Sequence, residues 1–181
     1  MFPYNTESSK KIHDIPVPLF NLAGNFLAYC CNLIISDEVR EGSWVELVTQ
    51  KHGENTYLSF QADTMRDAHD KARDHLREAE RNHKFELSVL AFDGHLRTDN
   101  DRTDIISLQM FDLESYANRR IWQYYQPPRP HCGFALIGTP MLLLDSEQIE
   151  STEENNWLRE FEKGFSSSPF ARRARSFNPM V

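Results

Sequence analysis

From Pro18 to Ser36 the chain runs nineteen residues without a charge: Pro-Leu-Phe-Asn-Leu-Ala-Gly-Asn-Phe-Leu-Ala-Tyr-Cys-Cys-Asn-Leu-Ile-Ile-Ser. Any fold must first dispose of this segment, because its length approaches the roughly 20 residues that span a bilayer. Three asparagines interrupt it, Asn21, Asn25 and Asn32, with Ala28 among them. Spacings of four and seven place them on one stripe of a helix. A single polar stripe on an apolar cylinder suits a helix buried on most sides of a globular protein; in lipid each amide would need a partner inside the bilayer. The segment also follows Lys10, Lys11 and Asp14, which is late for a secretory signal. Leu27-Ala28-Tyr29-Cys30 matches a lipoprotein cleavage box only loosely, Tyr29 being bulky where a small residue belongs. Residues 18–36 therefore read as a core helix, with membrane attachment or export through the same residues as the lesser alternative.

The remaining chain alternates between strand and helix signals. Trp44–Thr49 and Thr56–Phe60 read as a hairpin closed by a four- or five-residue loop around Lys51–Asn55. Asp63 or Thr64 offers an N-cap for a helix reaching Asn82, with Met65, Ala68, Ala72, Leu76 and Ala79 as its apolar stripe. Three alanines make that stripe low enough for close approach to a sheet. Phe85, Leu87, Val89 and Ala91 alternate with Glu86, Ser88, Leu90 and Phe92, and Asp93-Gly94 then predicts a tight turn, with a second at Thr98–Asp101. Further strands are expected at 102–111, at 119–126 and from Gly133 toward Leu144, with Pro127-Pro128-Arg129-Pro130 as a rigid connector. Ser151 and Glu154 have the spacing of a capping box for a last helix, whose apolar stripe is Trp157, Leu158, Phe161 and Phe165 and whose end is marked by Gly164.

The predicted order is α-β-β-α-β-β-β-β-α, an α+β fold with a mostly antiparallel sheet of about five to six strands and helices packed on it. At 181 residues the chain suits one domain. The expected division is an irregular segment over 1–14, the domain over 15–165 and a flexible basic tail over 166–181, where Arg172, Arg173 and Arg175 lie. The element order is similar in outline to that of the profilin-like and roadblock-type domains. That resemblance implies a binding or scaffolding platform, and it lies in the order of elements alone.

Chemistry is sparse. The seven histidines form no His-x-x-x-His pair and the three cysteines no Cys-x-x-Cys, so the zinc signatures are missing and no metal or cofactor is expected. Cys30 and Cys31 belong to the apolar helix, where thiols behave as small hydrophobes. Cys132 follows His131 directly, and neighbours in extended chain point opposite ways, which makes a poor nucleophile–base pair. There is no nucleophile elbow, phosphate-cradling loop or dinucleotide fingerprint, so no catalytic residue is assigned. With 27 acids against 20 bases, a net charge of −7, nucleic acid is not an expected partner. Three cysteines are too few for a disulfide framework, which points to a reducing, cytoplasmic setting.

Two surfaces stand out. The first is Trp122-Gln123-Tyr124-Tyr125 running into the proline segment, with Trp122, Tyr124, Tyr125 and Arg129 as partner-binding candidates, since aromatics and arginine concentrate binding energy. This supports a non-enzymatic accessory factor, immunity-protein-like or secretion-chaperone-like and of bacterial type, that recognises a protein, a basic one by charge complementarity, through an acidic and aromatic surface. A homodimer is a further arrangement compatible with it. The second is Asp93, His95, Arg102 and Asp104, which would serve a small hydrolase or ligand-binding sensor if a meander brought them together.

Overall fold

The uncharged segment forms helix α1, Val17–Ile35, preceded by a 3-10 turn at Ile12–Asp14. Pro18 lies in its first turn, where a missing N–H costs nothing. The computed structural model describes residues 12–36, 43–98, 101–112, 119–153 and 156–176, so residues 1–11 of the expected irregular segment lie outside it. After α1 come β1 (Ser43–Lys51), β2 (Glu54–Ala62), α2 (Met65–Arg81), β3 (Leu87–Thr98), β4 (Asp101–Asp112), β5 (Arg119–Gln126), β6 (Ala135–Leu144), β7 (Glu147–Ile149), α3 (Trp157–Ser167) and α4 (Ala171–Ser176). The strands make one antiparallel sheet in the order β2-β1-β3-β4-β5-β6-β7, an α+β fold. Among the described residues seven strands replace the expected five or six; β7, only three residues long, is too short to leave a periodic signal.

Turn chemistry explains several differences from expectation. The β1–β2 loop is two residues, not four or five: His52 and Gly53 both take positive φ, 52° and 81°, as a type I′ turn requires. Asp145 and Ser146 do the same between β6 and β7. Asp93-Gly94 does not turn; β3 runs straight through it. A turn there would set Leu90 opposite Arg97 and Val89 opposite Thr98, whereas the observed register sets them opposite Gln109 and Met110. Burial of two apolar strands outweighs a local turn preference.

Helix α2 follows its sequence closely. Thr64 caps its start, the hydroxyl accepting from Asp67 N–H at 3.1 Å. At its end His83 takes φ 49° while its N–H donates to Glu80 O and that of Lys84 donates to Ala79 O, a Schellman closure that aims Phe85 into the core. Ala68, Ala72, Leu76 and Ala79 are buried against β1 and β2. On the other side of the sheet α1 lies over β3 and β4, and α3 packs on α1. By length and composition α1 could cross a membrane; more than half of it is buried inside this fold.

The α1–α3 contact is made by backbone. A methyl group on Gly24 would sit 1.9 Å from Phe161 O, and one on Gly164 would sit 1.9 Å from Asn21 O. Gly164 therefore does not end the last helix but lies inside it, where the crossing needs it. That helix starts at Trp157, three residues past the expected box; Glu154 lies outside the described residues, and Ser151 Oγ accepts at 3.4 Å from Leu158 N–H. The region expected as a flexible tail is folded as far as Ser176: Ala171 and Ala174 of α4 are buried, and Arg173 donates to Ser36 Oγ at 3.1 Å and Asn32 Oδ1 at 3.5 Å. Asn25 Oδ1 accepts from Tyr57 O–H at 3.0 Å, so Asn25 and Asn32 of the stripe both have protein partners.

Because neither glycine has room for a side chain, Gly24→Ala and Gly164→Ala should each force the helices apart. The expected loss of unfolding free energy is about 3 kcal/mol, at the upper end for overpacked cores. Denaturant unfolding checks it, with Gly53→Ala on the open turn as the comparison.

Candidate functional site

Alternation along β5 divides its side chains between the two faces of the sheet. Arg119, Ile121, Gln123 and Tyr125 are buried on the α1 side, while Arg120, Trp122, Tyr124 and Gln126 are half-buried on the other. Cross-strand register extends this second face. Trp122 lies between Ser107 and Met141, Tyr124 between Ile105 and Ile137, and Arg120 between Gln109 and Leu143. Helix α2 shares this side but packs on β1 and β2, and its core stops at Phe92 and Phe111. Among the described residues, none of Trp122, Tyr124, Ile137, Met141 and Leu143 belongs to either core, and no helix lies over them. Ile137 is 46 % exposed. The result is an open aromatic and aliphatic sheet face.

Two features shape this face. Opposite Gln123 the β6 strand holds three residues, Gly138, Thr139 and Pro140, between the partners of Trp122 and Tyr124. Gly138 takes φ 66° in this bulge, and Pro140 is tolerated because the bulge asks for no ladder hydrogen bond there. The buried Gln123 amide donates to Tyr124 O and Ile137 O, each at 2.9 Å, and so satisfies carbonyls the irregular ladder would leave bare. At the α2 border the Gln109 amide, oriented by its network, donates to His69 Nε2 and accepts from Arg120 Nε and Nη2, all at 3.2 Å. This holds the Arg120 guanidinium beside the open face. Past β6 the edge is acidic and exposed: residues 145–153 hold Asp145, Glu147, Glu150 and Glu153 and no base.

Of the four aromatic-surface candidates, Trp122 and Tyr124 share the open face. Tyr125 does not, because a period of two sends it to the α1 side, where it is 5 % exposed and packs on Phe134. Arg129 is exposed in a tight turn, its N–H donating to Cys132 O at 2.7 Å. Ile137, Met141 and Leu143 were missed by sequence reading; the alternation of β6 was the available signal, and the bulge at Gly138–Pro140 breaks it.

The second candidate group is brought together, on a strand pair and not at two turns. Asp93 and His95 of β3 and Arg102 and Asp104 of β4 occupy the α1-side face, with His95 opposite Asp104. Tyr125 joins them, donating its hydroxyl to Asp93 Oδ1 at 2.8 Å, and Arg102 Nε pairs with Asp104 Oδ1 at 3.5 Å. Asp93 is exposed as a residue, but its carboxyl sits over buried Tyr125. Partial loss of water there raises its pKa, the nearby Asp104 carboxylate adds to the rise, and the Tyr125 hydroxyl and Arg102 oppose it. Burial, with Asp93 and Asp104 close by, raises Tyr125 so far that its phenol stays a donor.

Elsewhere the chemistry is structural. Asp112 and Arg119 form a buried ion pair at the opposite end of β4 and β5. Burial pushes the Cys31 thiol far up, whereas Cys132 is exposed. Among the described residues no group of three His, Cys, Asp or Glu side chains could hold a metal ion. Compared with protein-family models, with curated proteins and with solved structures, the chain matches none.

The raised Asp93 gives a signed pH effect. A carboxyl whose folded pKa exceeds its ordinary 3.8 binds a proton more tightly when folded, so its stabilisation is complete below 3.8 and is lost as pH rises through the folded value. Titration of the Asp93 carboxyl by NMR should show a midpoint above 3.8, and Asp93→Asn should flatten the fall in stability just above that pH. Separately, Gln123→Leu strips the bulge carbonyls of their donor and should cost about 1–3 kcal/mol in denaturant unfolding.

Proposed function

We propose that this protein is a non-enzymatic accessory factor, of the immunity-protein or secretion-chaperone kind in a bacterial cytoplasm, that takes a protein partner on the open sheet face. One observation carries the reading: Trp122, Tyr124, Ile137, Met141 and Leu143 lie side by side with no helix over them among the described residues. Contiguous apolar patches of this kind mark interaction sites, and rigid aromatics on a strand lose little freedom when they bind. Charge selects the partner. The net charge is −7 and the β6–β7 edge is acidic, so a second copy would bring like charge against like. A partner with an apolar patch rimmed by lysine and arginine meets attraction at the edge and burial at the centre.

The test compares tagged wild-type protein with the Trp122→Ala/Tyr124→Ala double variant, whose side chains lie outside both cores. The reading expects a stoichiometric basic partner whose complex weakens with salt. Each alanine should cost about 2 kcal/mol of binding, roughly thirtyfold in Kd. A partner retained equally by both proteins overturns it, as does a wild-type homodimer that the double variant dissolves.

A second reading, a small hydrolase or ligand-binding sensor, draws on Asp93 and Asp104 lying close enough for one carboxylate to raise the other beside Arg102. It expects Asp104→Asn to abolish an activity or a binding event that the Trp122→Ala/Tyr124→Ala variant keeps.

A further inference from the structure

Strand β2 forms one edge of the sheet and β7 the other. The β7 edge is blunted, being three residues long and acidic at Glu147. The β2 edge is not. Glu54–Ala62 runs nine residues in unbroken register with β1, holds no proline, lysine or arginine, and carries one charge, Glu54 at its start. The two-residue turn fixes which backbone groups face outward. Lys51 and Glu54 flank it as a hydrogen-bonded pair, and bonded pairs then alternate through Thr49–Thr56, Leu47–Leu58 and Val45–Phe60. Asn55, Tyr57, Ser59 and Gln61 therefore point their N–H and C=O groups away from β1. Lys71 Nζ donates to the last of these carbonyls, Gln61 O, at 2.9 Å. Among the described residues the outward backbone groups of Asn55, Tyr57 and Ser59 have no hydrogen-bond partner. Such a row is a template for another strand.

We infer that a second copy of this chain pairs antiparallel with β2 about a two-fold axis, joining two seven-stranded sheets into one. The edge is compatible with itself. From Asn55 to Ala62 it is uncharged, so two acidic chains meet here without opposed carboxylates along the paired stretch. With the axis at Leu58, Tyr57 bonds with Ser59 of the second copy. Asn55 bonds with Gln61, whose carbonyl has a lone pair left beside Lys71. On the α2 side Leu58 meets Leu58 and Thr56 meets Phe60, a β-branched and aromatic pair. Leu58 and Phe60 are only half-buried in one chain, so pairing covers apolar surface. Glu54 of the second copy falls opposite Ala62 and beside Lys71, while Asp63 and Asp67 lie beyond the paired residues. Three strands separate β2 from β5, so the dimer leaves the open sheet face free and does not rest on the partner proposed above.

Sedimentation of the full chain should show a concentration-dependent monomer–dimer equilibrium. Raising salt should tighten it by screening two chains of −7, the reverse of the complex with a basic partner. Amide hydrogen exchange locates the contact. Protection at Asn55, Tyr57 and Ser59 should rise with protein concentration, whereas Thr56, Leu58 and Phe60, bonded to β1, are protected throughout. Asn55→Pro/Thr56→Lys, at two exposed positions, removes an outward N–H and adds an edge lysine, and should weaken the dimer about tenfold or more. Exchange in the wild-type chain decides the question even where that variant folds poorly. A chain that stays monomeric up to about 1 mM overturns the inference. So does a dimer in which the three amides stay unprotected, or one that Trp122→Ala/Tyr124→Ala dissolves. Protection of those amides only in a complex with another protein gives the edge to that partner and overturns self-pairing as well.

Discussion

The contact between Gly24 and Gly164 sets the layering on one side of the sheet. Helix α1 is apolar nearly all round and needs partners on more than one side. The sheet supplies one through Val89, Ala91, Ile106, Leu108 and Met110, and α3 supplies another by approaching backbone to backbone. Only glycine at both positions permits that approach, and dispersion across so close an interface adds up quickly. Helix α4 then closes the far end through Ala171 and Ala174, while Arg173 meets the last asparagine of the stripe.

A consequence is an asymmetric sheet. Three helices crowd the α1 side, whereas among the described residues the opposite side has only α2, a narrow helix whose low alanine stripe packs on β1 and β2 and whose core ends at Leu90, Phe92 and Phe111. Strands β5 and β6 then keep one face open, which supports the binding reading proposed above.

Much of this was legible residue by residue. The nineteen uncharged residues became α1, the alanine stripe faced the sheet, and Thr64 capped α2 as its position implied. Trp122 and Tyr124 could be put on one face by alternation, with Ile121 and Tyr125 on the other. Other features were not legible, because their causes are not local. Asp93-Gly94 favours a turn in isolation, yet the ladder pairing Leu90 with Gln109 and Val89 with Met110 keeps it extended. Gly164 looks like a helix terminator until Asn21 O is found against it. The four candidates Asp93, His95, Arg102 and Asp104 were expected at turns and are instead side by side on a ribbon, joined by Tyr125 from a third strand.

The sequence alone determined the elements and their faces, because periodicity and caps act within a few residues along the chain. It also determined the acidic balance and the lack of familiar catalytic spacings. Tertiary structure alone decided which faces are covered. Coverage depends on how far α2 reaches and how closely α1 and α3 can cross, and both are set by contacts between residues far apart in the chain, such as Asn21 with Gly164 and His69 with Gln109.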